Sequence, residues 1–233
     1  MPVPHSEHLI TSYEDELTQL ASSISQMGGM VEAAISTAVD ALIRLDHATA
    51  RQIIAEDSRV DEVQRHIDET AVSMIARRQP MASDLRLIIS SIHVANDLER
   101  VGDMAKQIAR RTLKLDATKL SPKFYNGVRH MTDLTLRQLQ DALDAFAGRD
   151  TQSAILVCEK DAEIDALYVS LFRELLTYMM EDPRNITQCT HLLFCGKSLE
   201  RAGDHATNIA EAAYYLETGK NLAMILEQQK QGG

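Results

Sequence analysis

The chain has 233 residues, with 34 acidic and 24 basic side chains and a formal net charge of −10. This length allows one large domain or two smaller ones without disulfide support, and the acidic balance argues against nucleic acid as a partner. Aromatic residues make up only 4% of the chain, and helix-forming residues dominate. The composition therefore predicts an all-α protein.

Cysteine content and hydropathy indicate the compartment. Cys158, Cys189 and Cys195 are odd in number and lack zinc-binding spacing, which is typical of buried apolar residues in a reducing compartment. The first residues have no signal-peptide pattern, and no stretch of roughly 18 residues is apolar enough to span a bilayer. We therefore expect a cytoplasmic protein that contacts membranes only through its partners.

Five interruptions divide the chain into six segments with helical patterns. The interruptions carry capping or helix-breaking residues, namely Asp46, Pro80 (with Asp84 in the first turn), Ser121, Pro122, Gly148, Asp150, Pro183 and Asn185. Such residues favour helix ends over helix interiors. The prediction is six long helices over roughly 6–45, 47–78, 80–114, 122–147, 151–181 and 185–217.

One twelve-residue segment occurs twice. Leu98–Ala109 reads LERVGDMAKQIA and Leu199–Ala210 reads LERAGDHATNIA, with eight of the twelve positions identical in a register of 101 residues. An internal duplication explains this match. Because short connections make sequential helices antiparallel, we predict two tandem three-helix bundles, residues 1–117 and 118–220, followed by a frayed tail over 221–233.

Acidic side chains interrupt the apolar stripes of four predicted helices. In each helix two carboxylates are spaced i, i+4, so they share one face. The pairs are Asp57 with Asp61, Glu99 with Asp103, Asp161 with Asp165, and Glu200 with Asp204. Counted from the hairpin turns, the two pairs of each half lie opposite each other. Converging carboxylates repel, and burying them charged costs several kcal/mol unless a cation compensates.

A metal ion is the natural compensator for such a seam. Oxygen ligands without thiolate favour Mg, Mn, Ca or iron over structural zinc, and bridging carboxylates would hold two or more ions.

Gly102 and Gly203 each precede an Asp of these pairs and cost about 1 kcal/mol relative to Ala in a helix. They indicate either access for ions, solvent or a partner, or close helix packing. Arg100 and Arg201 favour ordinary salt bridges, with anion binding as the alternative.

At these residues the sequence resembles the PhoU family of phosphate-uptake regulators. The resemblance covers nearly the whole chain and includes RQPMASDLR before the first copy and DPRNITQCTHLLFCGKSLERAGDHATNIAE in the second half. It implies two three-helix bundles that bind divalent or trivalent ions (Mg, Mn, Fe or Zn) in multinuclear clusters. The implied ligands are Asp57, Asp61, Glu99, Asp103, Asp161, Asp165, Glu200 and Asp204.

The resemblance also implies a non-enzymatic role. It indicates a homodimeric negative regulator of the phosphate-starvation response that links the ATPase subunit of the phosphate ABC transporter to a sensor histidine kinase and restrains phosphate uptake. The residues alone leave two alternatives open: a carboxylate-bridged metalloenzyme, phosphohydrolase or oxygen-activating, and a metal-free scaffold whose acidic faces dock basic partners. The second half lacks the RQP and DLR elements in register, so its site is expected to differ from the first in occupancy or partner.

Overall fold

A computed structural model describes residues 5–115 and 122–231. Throughout these two ranges the regular structure is helical and contains no strand, which confirms the all-α prediction. The helices are α1 His5–Arg44, α2 His47–Glu56, α3 Ser58–Arg78, α4 Ala82–Thr112, α5 Asn126–Gly148, α6 Thr151–Glu181, α7 Ile186–Thr218 and α8 Leu222–Gln231. Short 3₁₀ turns, Pro122–Tyr125 and Pro183–Asn185, precede α5 and α7.

The helices pack in two groups that meet mainly through α4 and α7, with a further contact between α1 and α5. In the first half α1, α2 and α3 pack on α4, and in the second half α5 and α6 pack on α7. The α4 and α7 helices run antiparallel along each other. Arg86 of α4 donates to the Leu216 carbonyl oxygen at 3.0 Å, and Arg111 stacks on Phe194 with its Cζ 4.0 Å from the ring centre. The two copies of the duplicated segment therefore lie on the two helices that form the main contact between the halves.

Two predicted capping residues act as expected. The Asp46 carboxylate accepts hydrogen bonds from the backbone N–H groups of Ala48 and Thr49 at the start of α2. The Asp150 carboxylate accepts the corresponding bonds from Gln152 and Ser153 at the start of α6. These bonds satisfy donors that have no partner inside the helix.

The cap carboxylates make stability depend on pH. Hydrogen bonds, chiefly from the Thr49 and Ser153 hydroxyls, lower the pKa of Asp46 and Asp150 below the ordinary value of 3.8. Carboxyls with a lowered pKa stabilise the fold above their ordinary pKa, and this contribution is lost as the pH falls through the folded-state value. We expect an Asp46→Ala, Asp150→Ala variant to be less stable than wild type at neutral pH, with a difference that shrinks below pH 3.8. Urea unfolding across this pH range measures it, with the exposed Asp40→Ala as control, and a pH-independent difference would contradict the expectation.

Two features around α3 and α4 differ from the prediction: the helix over 47–78 is interrupted, and Pro80 lies outside the next helix. The segment predicted as one helix over 47–78 loses its regular hydrogen bonding at Asp57, where the backbone keeps helical angles (φ −55, ψ −37) and the Val60 N–H bonds to the Asp57 carbonyl. Pro80 was predicted in the first turn of the next helix, but it lies outside α4. Gln79 ends α3 in the left-handed conformation (φ 50), and Met81 is extended (φ −117, ψ 151). Pro80 therefore lies in the connection, and α4 begins at Ala82.

The starts of α5 and α7 also differ in detail. Ser121 lies outside the described residues, and Pro122 begins a 3₁₀ turn and not α5 itself. Asn185 precedes α7, but its side chain makes no capping hydrogen bond to that helix. Asp182 caps instead, because its carboxylate accepts from the Arg184 N–H at the 3₁₀ turn. The end of α5 falls at Gly148 as predicted, although the left-handed residue is Arg149 (φ 52).

The tail expected to fray over 221–233 contains a helix. Residues Leu222–Gln231 form α8, which contacts α7. The Leu222 side chain is buried, and the Asn221 side chain accepts a hydrogen bond from the Met224 N–H. Burial of an apolar side chain and a capped first turn explain why this segment is ordered through Gln231.

The three cysteines differ in how deeply the fold buries them. Cys189 and Cys195 are buried, Cys158 is half-buried, and all three are free thiols. Burial raises the pKa of the Cys158 and Cys195 thiols to about 12, so they are poor nucleophiles.

No helix among residues 5–115 and 122–231 has the length and apolarity needed to cross a membrane.

Candidate metal centres

Three predicted ligands meet between α6 and α7. Ligand oxygens of Asp165, Glu200 and Asp204 all lie within 4.8 Å of one another. Asp165 extends from α6, whereas Glu200 and Asp204 lie one turn apart on α7. Together with Asp161 of α6, we call these residues the second-half cluster.

The electrostatics of the second-half cluster favour a cation. Burial raises the pKa of Asp204, and the negative charges of Glu200 and Asp161 raise it further. One oxygen of Glu200, Oε2, is buried and has no hydrogen-bond partner. Buried polar atoms are normally paired, because losing water without gaining a partner is costly. A divalent cation would supply that partner, and the hard oxygen donors fit Mg, Mn or iron.

Two neutral side chains hold Asp161 in place. The Gln138 amide and the Thr207 hydroxyl each donate to Asp161 Oδ1 at 3.1 Å. Gln138 is only 6% exposed and also donates to the Thr207 hydroxyl oxygen at 3.2 Å. These hydrogen bonds fix the orientation of the Asp161 carboxylate, as residues that hydrogen-bond to a metal ligand do. Sequence reasoning missed both residues, although Thr207 lies three residues after Asp204 and so shares its face.

The first half contains the corresponding four carboxylates, Asp57, Asp61, Glu99 and Asp103, which we call the first-half cluster. Burial raises the pKa of Glu99, with smaller contributions from the charges of Asp103, Asp61 and Asp57. The charges of Asp61 and Asp57 therefore act on Glu99 from across the hairpin, whose register predicts that the two pairs face each other. In the described part of this half, however, no three acidic groups converge as closely as Asp165, Glu200 and Asp204.

Basic side chains enter the first-half cluster. Lys106 of α4 forms an ion pair with Asp57, at the break between α2 and α3, and its Nζ lies 3.9 Å from Asp103 Oδ1. Arg100 lies 3.4 Å from both Glu99 and Asp103, which is the ordinary salt bridging expected for it. A cleft of about 470 Å³ beside α1 and α2 reaches Asp57. Sequence reasoning missed Lys106, which lies three residues after Asp103.

The two helical glycines have different surroundings. A Cβ atom at Gly203 would lie 3.0 Å from Gln138 Oε1 and 3.1 Å from Ile164 Cδ1, so close packing explains this glycine. A Cβ atom at Gly102 would lie 3.4 Å from Val60 Cγ1, an ordinary contact, and Gly102 also borders the cleft beside Asp57. The hypothesis that a missing side chain gives ions, solvent or a partner access to the first-half cluster therefore remains for Gly102 only.

Alanine substitutions test this difference. We expect Gly203→Ala to lower the free energy of unfolding by about 1 kcal/mol or more, because Gln138 is hydrogen-bonded in place and Ile164 is buried. Gly102→Ala is expected to be neutral or to stabilise by up to about 1 kcal/mol, because alanine removes the helix penalty of glycine. Urea unfolding of both variants measures the difference, and equal effects would contradict it.

Two residues next to the second-half cluster face the other half of the molecule. His205 Nδ1 lies 2.8 Å from Asp97 Oδ1 of α4, and the Asn208 amide donates to the same oxygen at 3.0 Å. Neither contact is made to a carboxylate of the second-half cluster. Both side chains instead contribute to the contact between α4 and α7.

The fold and the paired carboxylates define a class: all-α proteins with two tandem helical repeats, each carrying an acidic cluster between helices. The PhoU domain family model matches the chain twice, at residues 24–112 and 128–213. The chain therefore belongs to the PhoU family.

Similar proteins agree with this assignment. The phosphate-specific transport system accessory protein PhoU homolog of Rhizobium meliloti is 51% identical over 212 residues, which are 91% of this chain and 90% of that protein. The homolog of Caulobacter vibrioides is 44% identical over 217 residues, 93% and 94% of the two chains. The crystal structure of PhoU from Pseudomonas aeruginosa has a TM-score of 0.84 and 45% identity, covering 89% of this chain and 100% of that chain.

Proposed function

We propose that this protein is a metal-binding negative regulator of the phosphate-starvation response that acts as an accessory protein of phosphate transport. The observation that carries the transport role is the 51% identity, over 91% of the chain, to a relative named for that system. The metal-binding part is supported by the convergence of Asp165, Glu200 and Asp204 and by the unpaired, buried Glu200 Oε2.

In this proposal the carboxylates of each half hold the metal. Asp165, Glu200 and Asp204 bind it in the second half, and Gln138 and Thr207 keep Asp161 oriented beside them. The first-half ligands are Asp57, Asp61, Glu99 and Asp103. Bound divalent or trivalent ions would offset the mutual repulsion of these carboxylates.

The proposed partners are proteins of phosphate uptake and sensing. They are the ATPase subunit of the phosphate ABC transporter, a sensor histidine kinase and a second copy of this chain, all meeting in the cytoplasm. The name of the relatives, phosphate-specific transport system accessory protein PhoU homolog, supports the link to the transporter. The kinase and the homodimer are further parts of the proposal.

Deletion of the gene tests the regulatory role. In phosphate-rich medium we expect the deletion to switch on phosphate-starvation genes, measured with a transcriptional reporter, and the wild-type gene to switch them off again. A variant with Asp165→Asn, Glu200→Gln and Asp204→Asn should fail to do so. The matched control removes three exposed charges elsewhere, with Asp15→Asn, Glu69→Gln and Asp133→Asn. Unchanged expression in the deletion strain would overturn the proposal.

The proposed role is not enzymatic, and this part has its own test. Purified protein loaded with Mn²⁺ or iron is incubated with phosphoesters, and turnover is compared with that of the Asp204→Asn variant. Turnover above background that disappears in the variant would favour the metalloenzyme alternative. Equal, background-level rates are the expected result.

A further inference from the structure

The two halves place different side chains at one repeat position. The register of 101 residues aligns Lys106 with Thr207. Both contact the equivalent carboxylate: the Lys106 ammonium donates to Asp57, and the Thr207 hydroxyl donates to Asp161 at 3.1 Å. The same contact is therefore made by a cation in the first half and by a neutral group in the second.

Lys106 lies within the first-half cluster. Its side chain is 23% exposed, and that of its partner Asp57 is only 9% exposed. It extends from α4 to the carboxylate of Asp57, at the break between α2 and α3, and also lies 3.9 Å from Asp103 of its own helix. An ammonium that contacts carboxylates of two separate segments offsets part of their repulsion, as a metal ion would.

The basic side chain of the second half is placed differently. Lys197 contacts Glu200, which lies three residues away on the same helix, at 2.5 Å, and its side chain is 47% exposed. Its ammonium also lies over the Tyr168 ring of α6, 5.5 Å from the ring centre, but among the described residues it forms no ion pair with a carboxylate of α6. Among the described residues, no basic group lies within 4.0 Å of the carboxylates of Asp161, Asp165 or Asp204. In the described part of the second-half cluster, therefore, no basic side chain bridges carboxylates of α6 and α7.

We infer that the Lys106 ammonium is a built-in cation of the first-half cluster, which a divalent ion must displace in order to bind. The second-half cluster then binds divalent ions more tightly and fills first, and the two halves respond to different ion concentrations. The cleft beside α1 and α2 gives an ion a path from solvent to Asp57. This inference rests on the proposed metal-binding function.

Mn²⁺ titration of the full-length apoprotein by calorimetry tests the inference. The second-half cluster is first inactivated by Asp165→Asn, Glu200→Gln and Asp204→Asn, so that binding reports the first half alone. In this background Lys106→Thr, which installs the residue of the second half, is expected to raise the Mn²⁺ affinity about tenfold. Lys106→Met removes the charge and keeps an unbranched side chain, so it should also raise the Mn²⁺ affinity. It replaces Lys106→Thr if that variant folds poorly.

Matched variants separate a local effect from a general change in charge. Arg110→Thr removes one positive charge from an exposed position one turn along α4, and we expect it to change the affinity less than about threefold because surface charges are screened. In a chain with the second half intact, Thr207→Lys should weaken binding to that half about tenfold.

The outcomes distinguish the inference from the function on which it rests. If the wild type binds Mn²⁺ and the Lys106 variants bind at the first half with unchanged affinity, the inference is overturned and the metal-binding function stands. If Arg110→Thr strengthens binding as much as Lys106→Thr, general charge explains the effect and the inference is again overturned. If neither half binds Mn²⁺, both are overturned.

Discussion

Saturating Mn²⁺ is expected to raise the unfolding temperature of the apoprotein by about 5–10 °C. An ion present at a hundred times its dissociation constant stabilises the folded state by about 2.7 kcal/mol, and each kcal/mol shifts the unfolding temperature of a chain of this size by about 2–4 °C. The reason lies in the second-half cluster, where Asp165, Glu200 and Asp204 converge without a bridging cation. Scanning calorimetry with Mn²⁺, and again after a chelator, measures the shift.

A variant of the second-half cluster provides the control for this shift. With Asp165→Asn, Glu200→Gln and Asp204→Asn, most of the Mn²⁺-dependent stabilisation should disappear. The apo form of this variant should be no less stable than the wild-type apo form, because mutually repelling charges have been removed. An equal shift in variant and wild type would mean that the ions bind elsewhere.

Truncating Leu199 to alanine is expected to lower the free energy of unfolding by about 3–5 kcal/mol. Leu199 is the first residue of the duplicated segment on α7 and is 0% exposed. Removing a fully buried leucine side chain loses its burial and leaves a cavity in a close-packed core. Leu98→Ala, at the equivalent position of α4, should have a similar effect because Leu98 is also fully buried.

An exposed leucine is the matched control for this truncation. Leu156 of α6 is 52% exposed, so Leu156→Ala should change the free energy of unfolding by less than about 1 kcal/mol. Urea unfolding at equilibrium gives all three values, provided that the slopes agree. Similar losses for Leu199→Ala and Leu156→Ala would contradict the placement of the duplicated segment in the core.

Features of the fold that depend on local contacts were predictable from sequence. The caps at Asp46 and Asp150 are bonds to backbone groups two and three residues away, so the local pattern determines them. The break at Asp57 was not predictable in this way, because its backbone keeps helical angles and no proline or glycine lies near it in the sequence. The α8 helix was missed for a similar reason, since the burial of Leu222 depends on the rest of the fold.

The candidate site shows the same division between near and distant contacts. The i, i+4 spacing and the hairpin register were enough to predict that Asp165 would meet Glu200 and Asp204. Gln138 could not be predicted as part of the site, because it lies on α5, a helix whose acidic residues are not spaced i, i+4. Lys106 could have been found by comparing the two copies of the duplicated segment position by position, since it replaces Thr207 on the face of the ligands.

The metal content of untagged, purified protein, measured by elemental mass spectrometry, tests metal binding most directly. It is compared with that of a variant carrying Asp57→Asn, Asp103→Asn, Asp161→Asn and Asp204→Asn. Bridging carboxylates in both halves lead us to expect about two or more metal ions per chain in the wild type, and their loss in the variant. Absence of stoichiometric metal from both proteins would contradict metal binding and favour acidic faces that dock basic partners.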